Sequence, residues 1–576
     1  MQHNLHVRIA VVPAGGTAGL LARLRDDGTA DGPTQHAQDL AAVVASAERA
    51  GPVRWVWRST QLTYPTLLRA AVRVARCHDL DLTGALLAAR DGPAAELPGS
   101  AGQPPERARP DDEHALQLPF EPSADPAAAC QHDLASLLDA HAGQLRRIGA
   151  DADPARFGLL VAAESAGGLA AAEMSAVGLP WRADIHDRLL TELLGPRPPG
   201  AAGPQLRPAR LAELAAEISD ALGSARPVNP DSPAQLLRAL SASGIRVRST
   251  RSAELRQIDH PAIGLLLQYK ELARLHAANG WSWLDSWVFD GRFRPEYVVG
   301  GVVSGRWASR GGGALQIPKL LRQAVVAEPG WALVVADAAQ LEPRVLAALA
   351  GDGAFAQAAN SDDLYAAVAS AIGADRAKAK VALLSAMYGG TGGDGGQSLA
   401  LLRRRFPQAS AFVESAARAG EEGRVVRSIL GRTCPPPSAA WRTVTSGTGD
   451  PEDGRDPAAG AAARARGRFT RNFVVQASAA DWALVLLALL RIQLAAMRPA
   501  GAADDLAAWA ELSAGRPQLV FFQHDEVVVH CPASLAGEVV AAIETAAAGA
   551  TRLVFGATEV SFPMTTAVVN CYADAK

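Results

Sequence analysis

The stretch Val334-Val335-Ala336-Asp337-Ala338-Ala339-Gln340-Leu341-Glu342-Pro343-Arg344 limits what this chain can fold into more than any other. Residues Ala332 to Val335 are small or apolar, and such a run reads as a buried strand. The strand delivers Asp337 at its end and passes into a helix starting near Leu341, whose first turn tolerates Pro343 because no hydrogen bond is lost there. An acid at such a junction either caps the helix or holds a cation. Both readings stay open at this point.

At 576 residues the chain is too long for one core, and about two to four domains are expected. A hydrophobic content of 49% with 20% charged residues describes a folded, soluble protein. The formal charge of -3 excludes a uniformly basic nucleic-acid binder, so any basic surface must be local. Cys77, Cys130, Cys434, Cys531 and Cys571 lie far apart and read as free thiols in a reducing compartment. The segment Met1 to Val12 has no charged region followed by a long apolar core, and the apolar run Trp482 to Leu490 is too short to span a bilayer. A cytosolic protein is expected. Lysine occurs only at 270, 319, 378, 380 and 576, which draws attention to the pair within one helix.

From about Val7 to Ala150, short strands (Val7 to Val12, Val53 to Trp57) alternate with helices (Pro65 to Val74, Leu82 to Ala89), as in a small α/β domain. Gly92 to Ala115 reads as a loop or disordered excursion. A helix carrying Glu173 and Met174 ends at Gly178, and a mostly helical region continues to about Asn279, broken at Gly195 to Pro204. Asn229-Pro-Asp-Ser-Pro233 caps a helix from about Ala234 to Ala242. Glu296 to Val303 looks like a strand, Ser304-Gly305-Arg306 a turn, and Ser446 to Ala463 a second disordered excursion.

Two later stretches look like partners of Asp337. Arg376 to Tyr388 holds strong helix formers and no interior Gly or Pro, and Gly389 ends it. Arg376, Lys380, Leu384 and Tyr388 are each four apart and share one face. Two cations followed by an aliphatic and an aromatic residue suit a nucleotide, although an amphipathic helix with a solvated basic end has the same pattern. Leu519 to His530 reads as a hairpin with Asp525 and Glu526 at its tip. Apolar flanks would bury these acids, which then need a cation or hydrogen bonds. Asp337 and Asp525 together could hold two Mg²⁺ ions shared with substrate phosphates, a phosphoryl-transfer site.

In this order and spacing the three stretches resemble motifs A, B and C of family A DNA polymerases, the bacterial DNA polymerase I type. Motif A is met by Asp337, Gln340, Glu342 and Arg344; motif B by Arg376, Lys380, Tyr388 and Gly389; motif C by His524, Asp525 and Glu526. Supporting matches are Ser304-Gly305-Arg306 with Leu315-Gln316-Ile317-Pro318, and Arg468, Asn472 and Gln476 at four-residue spacing. The resemblance implies an α+β multidomain chain: an exonuclease-like (ribonuclease H-like) α/β domain over 1–160, then a right-hand polymerase over 161–576. Its thumb would span about 180–295, its palm about 296–350 and 465–576, and its fingers about 351–464.

The resemblance also implies roles. Asp337 and Asp525, with the carbonyl of Ala338, would hold two Mg²⁺ (Mn²⁺ as a substitute), with Glu526 supporting. Arg376 and Lys380 would bind the triphosphate of a deoxynucleotide, and Gln340, Leu384 and Tyr388 would complete the nucleotide site. Glu342 would press against the sugar and leave no room for a 2′ hydroxyl. Arg306, Gln316, Arg468, Asn472, Gln476 and His524 would contact primer-template DNA. A monomer acting on DNA in the cytoplasm, without membrane attachment and without a 5′ nuclease domain, is expected.

Three departures from the family pattern stand out. Leu384 occupies an aromatic position and Ser385 a glycine position, while Ala338-Ala339 replaces a common Tyr-Ser pair. In the amino-terminal third, Arg76-Cys77-His78-Asp79-Leu80 is the clearest match to the proofreading domain. The Asp-x-Glu of the first strand is missing, because Ile9-Ala10-Val11-Val12 runs into Pro13-Ala14-Gly15. Asp79 matches the start of a helix, and Asp133 lacks the tyrosine four residues before it, so this domain is expected to be a relic without proofreading. Competing readings are a non-catalytic DNA-binding scaffold and a single-subunit RNA polymerase-like enzyme, the latter disfavoured by Glu342.

Overall fold

The structure is a computed structural model of the full chain and describes residues 7–91, 126–198, 207–310, 317–389, 395–446, 457–497 and 515–575. The chain divides into two compact units. The first comprises Met1–Ala176, Tyr297–Ala308 and Ala336–Thr566, and the second Val177–Glu296, Ser309–Val335 and Ala567–Lys576.

The first unit opens with a five-stranded sheet in the order Gln35–Ala37, Gly19–Leu24, Val7–Pro13, Val53–Trp57, Arg76–Asp79. Val7–Pro13 pairs antiparallel with Gly19–Leu24 and parallel with Val53–Trp57. Successive residues point to opposite faces, and both faces are covered. Val11, Leu21, Trp55 and Trp57 join one core, while Ala10, Val12, Ala22 and Val56 join another. Burial on both faces explains why these strands read as continuous apolar runs rather than alternating ones.

The helix expected over Pro65 to Val74 instead spans Thr60–Arg69 and contains Pro65. Its start is set by a residue distant in sequence: Asp79 Oδ2 accepts from Thr60 N–H at 2.6 Å, while Oδ1 accepts from Leu82 N–H at 2.9 Å. One carboxylate thus serves the first turns of two helices, Thr60–Arg69 and Leu80–Asp91.

Two long helices, Pro154–Val177 and Pro457–Ala496, run through the first unit; a second sheet has the order Gln518–Gln523, Glu526–Pro532, Trp331–Ala338, Met564–Val569. The excursion expected over Ser446 to Ala463 is helical from Pro457 onward, because its alanines outweigh the glycine at 460. Residues 447–456, like 92–115 and 199–204, lie outside the described residues. The apolar run 482–490 also belongs to a longer segment than expected. Pro154–Val177, Pro457–Ala496 and Ala533–Phe555 are each long and apolar enough to cross a membrane by length and composition. Within the first two, 72% and 83% of the apolar window is buried inside the protein, as core helices require.

Two buried ionic clusters cross-link the first unit. Arg491 donates to Glu173 at 2.6 and 2.9 Å and to the carbonyl of Ala75 at 2.9 Å; Glu173 also accepts from Tyr64 at 2.6 Å and from Arg73 at 3.0 Å. Arg432 donates to Glu164 at 2.7 Å and to Asp481 at 3.1 Å. The first cluster ties the amino-terminal α/β domain to the helix Pro457–Ala496.

The second unit is mainly helical. Ala183–Leu194, Ala209–Ala221, Pro233–Ala242 and Pro261–Asn279 bury Leu190, Leu214, Ile218, Leu236, Leu240 and Leu266 against one another. Ser232 caps the third of these by accepting from Gln235 N–H, with Pro233 in the first turn, as the sequence predicts.

Candidate functional site

The strand Trp331–Ala338 buries Leu333, Val334, Val335 and Ala336 almost completely and brings Asp337 out at its end, half-buried. The hairpin partner strands Gln518–Gln523 and Glu526–Pro532 pair Gln523 with Glu526, which leaves His524 and Asp525 as a two-residue loop. The tip is therefore His524-Asp525 rather than the expected Asp525-Glu526. Glu526 begins the second strand and is buried. The two acidic stretches meet through the backbone: Ala338 N–H donates to the Asp525 carbonyl at 3.0 Å, and Ala339 N–H to the Pro563 carbonyl at 3.1 Å.

Each acid has a non-glycine residue in the left-handed region close by, Gln340 (φ 54°) and His524 (φ 57°). Such residues cost about 1 to 3 kcal/mol apiece and persist only where the surroundings fix them. For Gln340 the fixing groups are visible. Its Oε1 accepts from Leu364 N–H at 2.9 Å and its Nε2 donates to Asp363 at 3.1 Å. The side chain expected at the nucleotide therefore has both amide ends engaged with the start of helix Leu364–Ile372.

Helix Arg376–Tyr388 forms over the expected residues. Asp375 caps it by accepting from Lys378 N–H, and Gly389 (φ 74°) ends it. Arg376 Nε donates to Asp363 at 2.5 Å, so Asp363 joins the strand bearing Asp337, through Gln340, to the cationic end of this helix. That ion pair is the main reason the Asp363 carboxyl titrates below the usual range. Arg376 and Lys380 both lie over the Tyr365 ring, at 5.8 and 5.6 Å. Leu384 and Tyr388, farther along the same face, are half-buried.

Glu342 is held from two sides. It accepts from the Tyr388 hydroxyl through Oε2 and from Arg306 through Oε1. Gln476 also hydrogen-bonds Tyr388, whose pKa is raised by burial and pulled back by Arg306 and Gln476. Arg306, Glu342, Tyr388 and Gln476 thus form one polar chain. Residues 296–303, expected as one strand, form a strand only over Glu296–Val298. Gly300 (φ 61°) and Gly305 (φ 83°) then turn the chain back, with Gly305 N–H donating to the Val302 carbonyl at 2.8 Å and Val302 N–H to that of Arg306 at 3.1 Å.

Arg468, Asn472 and Gln476 lie on helix Pro457–Ala496. Arg468 packs so close to Gly389 that a β-carbon there would meet its Cγ at 2.9 Å. The Asn472 Oδ1 is buried without a hydrogen-bond partner. His524 is exposed at the loop tip. Gln316 and Leu315 lie outside the described residues.

Sequence reasoning gave Arg344 no task beyond its place in a motif. In the fold it is almost fully buried and donates to the carbonyls of Ala339 (2.8 Å), Ser361 (3.1 Å), Ser561 (3.2 Å) and Ala359. It fastens the segment after Asp337 to two other chain passes. Asp363 and Arg432 were missed as well. The available signals were an acid directly before an apolar helix and an arginine between Gly431 and Thr433, both too common to single out.

As a metal site, Asp337, Asp525 and the Ala338 carbonyl supply hard oxygen donors with no thiolate or imidazole among them, which suits Mg²⁺. Among the described residues no three His, Cys, Asp or Glu side chains gather into a metal-holding group.

Comparison with known proteins bears on this arrangement. Residues 205–568, more than half of the chain, match DNA polymerase family A. The DNA polymerase I of Chloroflexus aurantiacus is 26% identical over 334 residues, 52% of this chain and 31% of that protein. The thermostable DNA polymerase I of Thermus filiformis is 26% identical over 331 residues, 52% of this chain and 35% of that protein. The chain spans about a third of the length of these curated relatives. The POL domain of Pol1 from M. smegmatis, solved in complex with DNA primer-template and dNTP, superposes with a TM-score of 0.69 at 18% identity, over 99% of this chain and 96% of that one. The fold is accordingly an amino-terminal mixed α/β domain followed by a helical right-hand polymerase domain. The chain belongs to DNA polymerase family A.

Proposed function

We propose that the chain is a template-directed DNA polymerase that adds deoxynucleotides to a primer 3′ end. The observation that carries this reading is the hydrogen bond from Ala338 N–H to the Asp525 carbonyl, which sets Asp337 and Asp525 on neighbouring chain segments. Adjacent strands lie about 4.8 Å apart, close enough for two carboxylates to share an ion cluster.

Asp337, Asp525 and the Ala338 carbonyl would hold two Mg²⁺, for which Mn²⁺ could substitute, with Glu526 behind them. Once bound, such a pair neutralises charge on the attacking and leaving oxygens. The protein's own groups do the positioning. Arg376 and Lys380 receive the triphosphate, Arg376 leaving Asp363 to do so, and Leu384 and Tyr388 face the base. The primer 3′ hydroxyl gives up its proton to solvent and attacks the α-phosphorus in line, the new phosphodiester bond forms, and pyrophosphate leaves with the broken bond's electron pair. Arg306, Gln316, Arg468, Asn472, Gln476 and His524 follow the primer-template. Glu342, fixed by Tyr388 and Arg306, forms the sugar-side wall. A 2′ hydroxyl pressed against it costs on the order of 1 to 3 kcal/mol besides the clash, so deoxynucleotides are preferred.

The amino-terminal domain we read as a relic without proofreading. Its first strand ends on Pro13, Asp79 is engaged with two helix starts, and Asp133 is exposed on its helix. The enzyme acts as a monomer in the cytoplasm, on DNA in repair or replication.

Primer extension with Mg²⁺, comparing the wild type with Asp525→Ala, tests the main reading. Templated extension by the wild type alone is expected. DNA binding without extension by either protein would identify a non-catalytic scaffold. Metal-dependent release of nucleotides from a mismatched primer by Asp525→Ala would overturn the relic reading.

A further inference from the structure

We infer that Arg432 is a positioning residue for sugar discrimination, acting through the turn that carries Arg306 and never touching the nucleotide. The inference rests on the polymerase reading above, in which Glu342 faces the sugar. Its starting point is a buried cluster that the chemistry does not use. Arg432, Glu164 and Asp481 come from three separate chain segments, and their side chains are 6%, 4% and 0% exposed. Two carboxylates and one guanidinium in a core are tolerated only with good geometry, and removing the cation would leave two buried acids repelling each other.

The turn sits on this cluster at two points. A β-carbon at Gly305 would fall 2.4 Å from Arg432 Cζ and Nε, so the guanidinium lies directly against the backbone of the residue before Arg306. A β-carbon at Gly300 would fall 2.6 Å from Glu164 Oε1. Both glycines have positive φ, at 83° and 61°, and both approaches need a residue without a side chain. From this seat the turn presents Arg306, which donates to one oxygen of Glu342 while Tyr388 donates to the other. The placement of the Glu342 carboxylate is thus fixed in series: the cluster seats Gly305, Gly305 orients Arg306, and Arg306 holds Glu342. A wall that excludes a 2′ hydroxyl discriminates only as well as it is held, since a small displacement opens the room it denies.

A merely structural Arg432 would lower stability and scale activity on all nucleotides alike. A positioning residue changes the ratio of kcat/KM for deoxynucleotides to that for ribonucleotides. The test measures this ratio in single-nucleotide primer extension for the wild type, Arg432→Lys, Arg432→Met and Gly305→Ala, with Glu342→Ala as reference and thermal melting as the check on folding. Gly305→Ala keeps all charges of the cluster and disturbs the contact between the guanidinium and the turn, so it gives a second reading beside Arg432→Met. We expect Glu342→Ala to collapse the ratio, Arg432→Met and Gly305→Ala to lower it about tenfold, and Arg432→Lys to lie between them and the wild type. Folded Gly305→Ala and Arg432→Lys with wild-type ratios, beside a collapsed ratio in Glu342→Ala, would overturn the inference and leave the sugar-facing reading intact. A wild-type ratio in Glu342→Ala would overturn both.

Discussion

In the amino-terminal sheet the central strand Val7–Pro13 ends on a proline followed by Ala14 and Gly15, whereas in the second sheet Trp331–Ala338 reaches its end with Asp337. The amino-terminal sheet does carry a strand-end acid, Asp79, but its two oxygens accept backbone N–H groups of Thr60 and Leu82. The acids of the second sheet stand beside residues in strained backbone, Gln340 and His524, in a setting that other parts of the chain hold in place. In the reading proposed above, the same kind of junction starts helices in one sheet and serves a nucleotide in the other. Keeping a fold and keeping its chemistry are separable demands on a sequence, and the first needs only burial and capping.

If the amino-terminal domain is a brace, the cluster joining it to the helix Pro457–Ala496 should matter more for stability than for chemistry. Arg491→Met leaves Glu173 buried with only Arg73 as a cationic partner, and a loss of about 3 to 5 kcal/mol is expected in denaturant unfolding. A loss below about 1 kcal/mol would break the comparison by making the domain an appendage.

Asp79 sharpens it through pH. Burial pushes its carboxyl up to about 6 from 3.8, so the folded state binds the proton more tightly than the unfolded chain does. The resulting stabilisation is complete below about pH 4 and is lost as pH rises through about 6, amounting to about 3 kcal/mol. Asp79→Asn should remove this dependence, so the stability difference between wild type and variant should shift by that amount between pH 4 and pH 6. A constant difference would show that the two N–H donors hold Asp79 charged throughout.

Most of the elements that carry the candidate site were legible because their signals are local. A short apolar run ending on an acid, four residues at helical spacing and a hairpin between two β-rich runs each fall within about a dozen residues. What escaped the sequence is long-range. Glu342 meets Arg306 and Tyr388, which lie 36 and 46 residues away. Arg344 reads only as a member of a motif, yet it sits among carbonyls of three chain passes. Helix Thr60–Arg69 begins five residues before the expected Pro65 because its cap arrives from Asp79, and the strand after Glu296 stops early because two glycines turn the chain toward Arg432 and Glu164.

Smaller effects probe the proposed nucleotide contacts of helix Arg376–Tyr388. Leu384→Phe restores a ring on the face shared with Arg376 and Lys380. Stacking on the incoming base is worth about 1 to 3 kcal/mol, so the nucleotide KM should fall roughly tenfold. An unchanged KM and unchanged dideoxynucleotide use would show that this position does not meet the base. The smallest expected effect is that of Asp363→Asn. The Arg376–Asp363 pair is more than a third exposed on both sides, so solvent screens it. Freeing Arg376 should lower the nucleotide KM by no more than about fivefold, and less at high salt. A rise in KM would mean that Asp363 orients Arg376 for the triphosphate rather than competing with it.

The central claim is that Asp337 and Asp525 act together on one nucleotide. Single-turnover incorporation by Asp337→Asn and Asp525→Asn, each saturated with primer-template and Mg²⁺, tests it most directly. Both variants should bind DNA as the wild type does and lose at least about a thousandfold in rate, the equivalent of about 4 kcal/mol of transition-state stabilisation. A rate within about tenfold of wild type in either variant would contradict the account.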